Sequence, residues 1–336
     1  MRHPKVSVLV LGWNGKKYFD DCLGSLLAQT YRDYEVVLVD NASTDGSVEY
    51  IKKKFKNVRI MKLGRNYGFS GGYNRAIKKI NSEYVVLLNQ DTKVDKNFLK
   101  ELMKQADSED IGAWACRILF FNNPKKLNSA GTKTTIIGAG FDIGFYDDPK
   151  KYTNQYKCMF CGGAVMIKKK AFIDAGGFDD FYFAYDEDID LSWRLWLRGW
   201  KIVYVPSSTV YHKFGSSFGL IGSDNRVYYG ERNRICNIIK NFDSLTLAVV
   251  LPISFAFTAA KFLFFMIRFR FGPAKLLLKA NINVFNNLKN LMRKRSVVQS
   301  RRVISDWEIF KKGVVLSIWK SLKEYLIIYN RTRGFR

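Results

Sequence analysis

Four carboxylates fall within five positions of this sequence: Asp186, Glu187, Asp188 and Asp190, inside FAYDEDIDLSWRLWLRGW. The chain as a whole carries a formal net charge of +25 over 336 residues, so this acidic cluster runs against its surroundings. A carboxylate at the mouth of a cleft can take the proton of an attacking hydroxyl, which contributes roughly 10²–10⁴-fold in rate. Carboxylates also suit a helix N-terminus, and Asp190 stands four residues before Arg194, the spacing of a helical ion pair. Both uses can hold, for different members of the cluster. Trp193 and Trp196 are spaced to pack such a helix on a core, and Gly199 to end it.

Further polar residues follow directly on apolar runs. Asn14 follows VSVLVLGW, Asp40-Asn41 follows YEVVLV, Arg65-Asn66 comes after VRIMKL, and Asn89-Gln90-Asp91 ends EYVVLL. Asp40 can accept from the imide N–H of uracil or thymine or from ribose hydroxyls. It can equally cap a helix, as can Ser43 and Asp45 behind it. Gly71 and Gly72 in GFSGGYN allow close backbone approach to a ligand at a helix start that favours anions, although glycines commonly only shape loops. His212, one of two histidines, suits a structural role or a metal. Cys158 and Cys161 form a CxxC without a second pair, which reads as two small core residues rather than a zinc site.

These residues need a frame. The first 120 residues alternate short β-branched runs with stretches of helical spacing, which predicts an α/β fold with a mostly parallel sheet and helices on both faces. Ligands then bind at the carboxyl ends of the strands, where the polar residues above lie. Residues 121–157, rich in Gly, Asn and Thr, predict loops or short strands near a site. The five cysteines are odd in number and scattered, and the first apolar run is too short for a secretory leader, so a reducing compartment is expected. Composition changes near residue 240, which divides the chain into 1–240 and a basic, apolar helical region, 241–336. From Lys261 to Arg336 eighteen Lys and Arg face three acids. The run LTLAVVLPISFAFTAAKFLFFMI (245–267) is long enough to cross a bilayer, but Lys261, Pro252 and the basic flanks on both sides favour a re-entrant or interfacial element. Residues 313–329 can also lie on a membrane surface.

The ordered motifs VSVLVLGWNG, VVLVDNASTDGS, RNYGFSGGYNRAI, LLNQDTKV, GGFDDFYFAYDEDIDLSWRLWLRGWKIVYVPSSTVYH and GERNRI resemble those of family 2 glycosyltransferases over about residues 5–240. They look most like the branch that includes rhamnosyltransferases. The resemblance implies a GT-A, Rossmann-like fold and inverting transfer from a UDP- or dTDP-linked sugar, with Mg²⁺ or Mn²⁺ as cofactor. By that match Asp188 is the general base and Glu187 its neighbour. Asn14, Asp40, Asn41, Arg65, Asn66, Gly71, Gly72, Asn89 and Asp91 fall to the nucleotide-sugar. Asp91 is the metal-binding last acid of an Asp-x-Asp variant, and His212 is the second metal ligand. Asn89, in the first position of that variant, removes one negative charge and is left to hydrogen-bond ribose or metal-bound water. The tail suggests a glycan or polyprenyl-linked acceptor, reached at the cytoplasmic face of the membrane through residues 245–329, with no nucleic-acid partner. A processive polysaccharide synthase is the alternative within the family, but its Gln-x-x-Arg-Trp motif is replaced by GERNRI. A nucleotidyltransferase would carry a glycine-rich, Arg-containing loop where GWNGKKY stands. A basic nucleic-acid-binding protein is disfavoured because carboxylates at the strand ends would repel phosphate.

Overall fold

The computed structural model describes residues 3–215 and 223–332. The N-terminal half alternates as its apolar runs dictate: β1 (Val6–Gly12), α1 (Phe19–Leu27), β2 (Tyr34–Asp40), α2 (Ser47–Lys54), β3 (Arg59–Lys62), α3 (Gly68–Ile77) and β4 (Tyr84–Asn89). Then follow β5 (Thr92–Val94), α4 (Phe98–Met103) and β6 (Ile111–Phe120). Residues 121–157 form short strands: β7 (Asn123–Ser129), β8 (Thr132–Thr135) and β9 (Gly140–Asp142). Next come β10 (Ala164–Lys168), α5 (Lys169–Asp174), α6 (Glu187–Leu197) and β11 (Lys201–His212).

The main sheet runs β3-β2-β1-β4-β10-β6-β11-β5, with β7 on the side of β6. It is parallel over β3-β2-β1-β4, as the alternation predicts. Beyond β4 it is mixed. β10 lies antiparallel between β4 and β6, and β5 antiparallel on β11. The physical reason is the connection: β10 is reached through residues 121–157 and not through a crossover helix, which a parallel neighbour requires. Two apolar clusters cover the two sheet faces, one centred on Val8, Phe19, Val86 and Trp114, the other on Leu9, Val165, Trp193 and Phe242.

The C-terminal region is helical: α7 (Asp224–Asn241), α8 (Ser244–Ile267), α9 (Phe271–Asn286), α10 (Leu288–Ser300), α11 (Asp306–Lys312) and α12 (Ile318–Thr332), with β12 (Val315–Leu316) before the last. It is not detached from the rest. β12 pairs in parallel with β8, the Val303 amide donates to the Leu197 carbonyl (2.8 Å), and Val250, Ile309 and Val315 join the core under the main sheet. Among the described residues, α8 is the one helix long and apolar enough to cross a membrane. Its N-terminus is capped by Asp243, which accepts from the Thr246 amide at 2.7 Å.

Candidate active site

The register of the parallel strands sets Gly12 opposite Asp40 and Leu11 opposite Asn89, so the carboxyl ends of β2, β1 and β4 open side by side. Asp40 is buried there, and its Oδ1 accepts from the Ser43 amide at 3.2 Å. The loops around it are tied by amides. Asn41 Nδ2 donates to Asn66 Oδ1 (2.9 Å) and to the Gly68 carbonyl (3.1 Å), while its Oδ1 accepts from the Tyr67 amide (2.9 Å). Asn14, at φ 50°, accepts from the Thr44 amide (2.8 Å) and joins the first loop to the second. Asn14, Asn41 and Asn66 thus build the walls of the cleft. Arg65 is exposed at its edge, with its guanidinium 4.8 Å from the centre of the Tyr67 ring.

Gly71 and Gly72 have another use than close approach to a ligand. A Cβ on Gly72 would lie 2.6 Å from Leu11 Cδ1, so this glycine lets α3 sit tightly on β1, and one on Gly71 would lie 2.9 Å from Tyr67 Cβ, so that glycine makes room for the side chain that precedes α3. The turn at the helix start belongs to Gly68, at φ 67°, where a side chain would strike the Phe183 carbonyl.

Asp91 and His212 come together because of strand pairing. The antiparallel register of β5 on β11 sets His212 opposite Thr92, and the Lys213 amide donates to the Asp91 carbonyl (2.9 Å). Asp91 Oδ1 lies 3.3 Å from His212 Nε2, and the other ring nitrogen, Nδ1, is 2.9 Å from Asn128 Oδ1. An Nδ1–H donated to Asn128 leaves the Nε2 lone pair facing Asp91, the tautomer a metal requires. Carboxylate oxygen and imidazole are a donor set that would suit a divalent cation. Among the described residues no third His, Cys, Asp or Glu completes the set. Asn89 is half-buried at the end of β4, one strand over from β1.

The acidic stretch forms the other wall. Tyr185 and Asp186 both have left-handed backbone, φ 67° and 59°, a conformation that costs energy in non-glycine residues and is held in place by its surroundings. α6 begins at once with Glu187. Asp188 accepts two backbone amides, Gly162 at Oδ2 and Ile189 at Oδ1, both at 2.8 Å. Burial lifts the Asp188 carboxyl to about 6, and the charge of Asp142 adds to the rise against those two amides. Burial also lifts Asp186, to about 7, with help from the Asp188 charge, and it drives Glu187 well above the ordinary carboxylate range. Glu187 Oε2 is buried with no hydrogen-bond partner among the described residues. Asp190 differs: it is fully buried but paired with Arg194 (2.6 Å) and Lys240 (2.8 Å).

With these features in place, the comparisons decide the family. The glycosyl transferase family 2 pattern matches residues 7–176, just over half of the chain. The protein belongs to glycosyl transferase family 2. A second family pattern, described as the N-terminal domain of galactosyltransferase, matches residues 146–214, which contain the acidic stretch and His212. Among curated relatives of this glycosyltransferase, the N-acetylglucosaminyl-diphospho-decaprenol L-rhamnosyltransferase of Mycobacterium tuberculosis is 26% identical over 63% of this chain and 77% of its own length. The O-antigen biosynthesis protein RfbC of Myxococcus xanthus is 28% identical over 64% of this chain but only 18% of its own length. Among solved structures, GalNAc-T7 with UDP, GalNAc and Mn²⁺ aligns with TM-score 0.59 and 18% identity, covering 72% of this chain and 49% of that one. A mannosyltransferase from Pyrobaculum calidifontis in complex with GDP-Man and Mn²⁺ aligns with TM-score 0.53 and 16% identity over 89% of this chain and 86% of that one. These likenesses give the GT-A fold.

Several roles at the candidate site escaped sequence reasoning. Gln90 fixes the first loop from both sides, with Oε1 accepting from the Trp13 amide (2.9 Å) and Nε2 donating to the Trp13 carbonyl (3.1 Å). Asn128 and Asp142 lie in the stretch that reads as irregular. Asp142 is close enough to His212 and Asp188 to interact with both electrostatically, and burial raises its carboxyl as well. Of the CxxC pair, Cys158 is buried and Cys161 packs half-buried against the core, as small core residues do.

Proposed function

We propose that the protein transfers a sugar, with inversion, from a UDP- or dTDP-linked donor to a hydroxyl of a glycan or polyprenyl-linked acceptor. The observation that carries this reading is Asp188: a carboxyl lifted to about 6, oriented by two amides, and linked to His212 through Asp142, whose charge reaches both. The acceptor oxygen attacks the anomeric carbon opposite the nucleotide. The bond from that carbon to the diphosphate oxygen breaks, and the diphosphate leaves with the electron pair. The hydroxyl proton passes to Asp188, which is ionised at neutral pH yet basic enough to receive it. Glu187 holds its proton to higher pH, so one negative charge is shared by the pair and the two amides favour Asp188 as its seat. Asp91 and His212 would hold a divalent cation, Mg²⁺ or Mn²⁺, whose chemistry is to neutralise the departing diphosphate. Asp40 is assigned to the nucleotide and Arg65 to its phosphates. Asn41, Asn66, Gly71 and Gly72 serve by shaping the cleft.

The polyprenyl-linked acceptor is supported by α8. Its polar stripe turns inward: Ser254 and Thr258 accept from Arg234 at 2.5 and 2.8 Å, and Lys261 pairs with the buried Glu231 at 2.7 Å. Lys261, which in the sequence argues against immersion, is therefore neutralised by α7. Outward, α8 exposes Leu245, Phe255, Phe264 and Ile267. Such a face suits the cytoplasmic surface of a bilayer. The test is a panel of UDP- and dTDP-sugars assayed for hydrolysis and transfer with and without Mn²⁺, using wild type and Asp188→Asn. Metal-dependent transfer that Asp188→Asn lowers at least about 100-fold is expected; transfer within about tenfold of wild type in that variant overturns the assignment.

A further inference from the structure

The left-handed pair before α6 poses a question of support. Two consecutive non-glycine residues at positive φ do not hold themselves, and their carbonyls need partners. α7 supplies a partner to each, and the Asp186 carbonyl also accepts from the Asp190 amide at 3.0 Å as the first bond of α6. Asn233 Nδ2 donates to the carbonyls of Ala184 (2.9 Å) and Tyr185 (2.6 Å). One turn on, Asn237 Nδ2 donates to the Asp186 carbonyl (3.3 Å), and its Oδ1 accepts from the Tyr182 hydroxyl (2.7 Å). A further turn on, Asn241 Nδ2 donates to Asp190 Oδ1 (3.2 Å). The spacing of four residues lines the three amides along one stripe of the helix. All three are buried. Another side of α7 is tied to α8 through Glu231 and Arg234.

We propose that Asn233 and Asn237 are positioning residues: they hold the Tyr185–Asp186 turn so that Asp188 is presented to the acceptor hydroxyl. The role given to Asp188 rests on the function proposed above; the clamp itself rests on the hydrogen bonds. An asparagine is the residue type this requires. Its NH₂ donates to carbonyls while its oxygen still accepts, which aspartate at neutral pH cannot reproduce. Misplacement of a reacting group by about 1 Å can cost roughly 10²-fold in rate, so loss of the clamp should appear in turnover before it appears in binding.

The experiment compares Asn233→Ala, Asn237→Ala and Asn237→Asp with Ile238→Val, which trims the core under the same helix without touching the clamp. Hydrogen exchange at residues 183–189 is expected to quicken about tenfold in the three asparagine variants and to stay unchanged in Ile238→Val. Donor turnover is expected to fall about 100-fold, with the affinity for UDP and Mn²⁺ by calorimetry kept within threefold. Asn237→Asp retains the Tyr182 bond, so wild-type behaviour of that variant overturns the role of the Asp186 carbonyl. Equal exchange and turnover losses in Ile238→Val, or none in the alanine variants, overturn the proposal. If wild type turns over no donor, the function proposed above fails instead, and hydrogen exchange alone decides the clamp.

Discussion

Asp188 and Asp190 stand two residues apart on α6, and burial pushes both carboxyls toward the neutral form. Asp190 nevertheless ends below the ordinary carboxylate range, because Arg194 and Lys240 offset its burial. Asp188 has no such cation and remains at about 6, with Asp186 near 7 and Glu187 higher still. The same contrast recurs nearby. Burial raises Asp179, but Lys240 and Lys294 hold it low; Glu231 is likewise pulled down, to about 2, by Arg234 and Lys261. Burial is common to the two groups, so burial does not mark the site. What sets the candidate site apart is burial that no ion pair offsets: Asp186 feels the charges of Arg226, Arg234 and Lys261 and still ends near 7.

The largest effect that could break this comparison is on rate. Asp188→Asn should lower transfer roughly 10²–10⁴-fold with nucleotide affinity intact. In wild type, turnover should fall about tenfold per pH unit below about 6, and the variant should lack this limb. Stability should move the other way. A folded-state value above the unfolded one, near 3.9, means that the folded protein binds an extra proton between about pH 4 and 6, so this group's contribution declines as pH rises through that window. Thermal unfolding should accordingly show Asp188→Asn more stable than wild type at pH 7, with the difference vanishing near pH 4.

Asp190→Asn is the counterpart, and its cost is structural. Arg194 and Lys240 would be left buried with a partner missing, at about 3–5 kcal/mol. The stabilisation by Asp190 is present above the unfolded carboxylate value and is lost as pH falls through its lowered folded value, so the two variants should respond to acid in opposite senses. Urea unfolding at pH 7, at pH 4 and below pH 3 tests this, because the Asp188 difference closes by about pH 4 and that of Asp190 closes only below it. An Asp190→Asn variant as stable as wild type would mean that the cations do not distinguish the two aspartates.

Much of this frame was legible in the sequence, for reasons that are local. Short β-branched runs gave the strands, and i,i+4 spacing gave the Asp190–Arg194 pair. Trp193 and Trp196 are buried, and Gly199 closes α6 at φ 85°. Polar residues after strands gave Asp40 and Asp91. The unread parts depend on partners distant in sequence. Gly71 and Gly72 look like loop glycines until Leu11 and Tyr67 are seen against them. Asn41 and Asn66, expected at the nucleotide-sugar, are also bonded to each other across 25 residues, which no local spacing encodes. The mixed half of the sheet follows from where β10 returns, which no strand's own composition encodes. One signal was local and passed over: Asn233, Asn237 and Asn241 repeat every fourth residue inside GERNRICNIIKN, a polar stripe where a buried helix should be apolar.

A smaller effect sharpens the contrast on the metal side. Asn128→Ala removes the acceptor that fixes the His212 tautomer but leaves both candidate ligands in place. Mn²⁺ affinity, titrated in the presence of UDP, should weaken about 10–100-fold, as losses behind a metal ligand do. Unchanged affinity would assign His212 to structure, leaving Asp91 to act without it.

The smallest effect is expected at Lys261. Its pair with Glu231 has the short distance of the Asp190 pairs, but the lysine side chain is 35% exposed and Glu231 keeps Arg234 when it is lost. Partly exposed pairs are worth about 1 kcal/mol or less. Lys261→Met should therefore lower the melting temperature by only about 2 °C, far less than Asp190→Asn. It also makes α8 more apolar, so binding to phosphatidylglycerol vesicles should be kept rather than lost, whereas Phe264→Ser should weaken it. A melting-temperature loss as large as that of Asp190→Asn would mean that α8 is anchored by the ion pair itself, and that the exposed apolar face plays no part in where this helix rests.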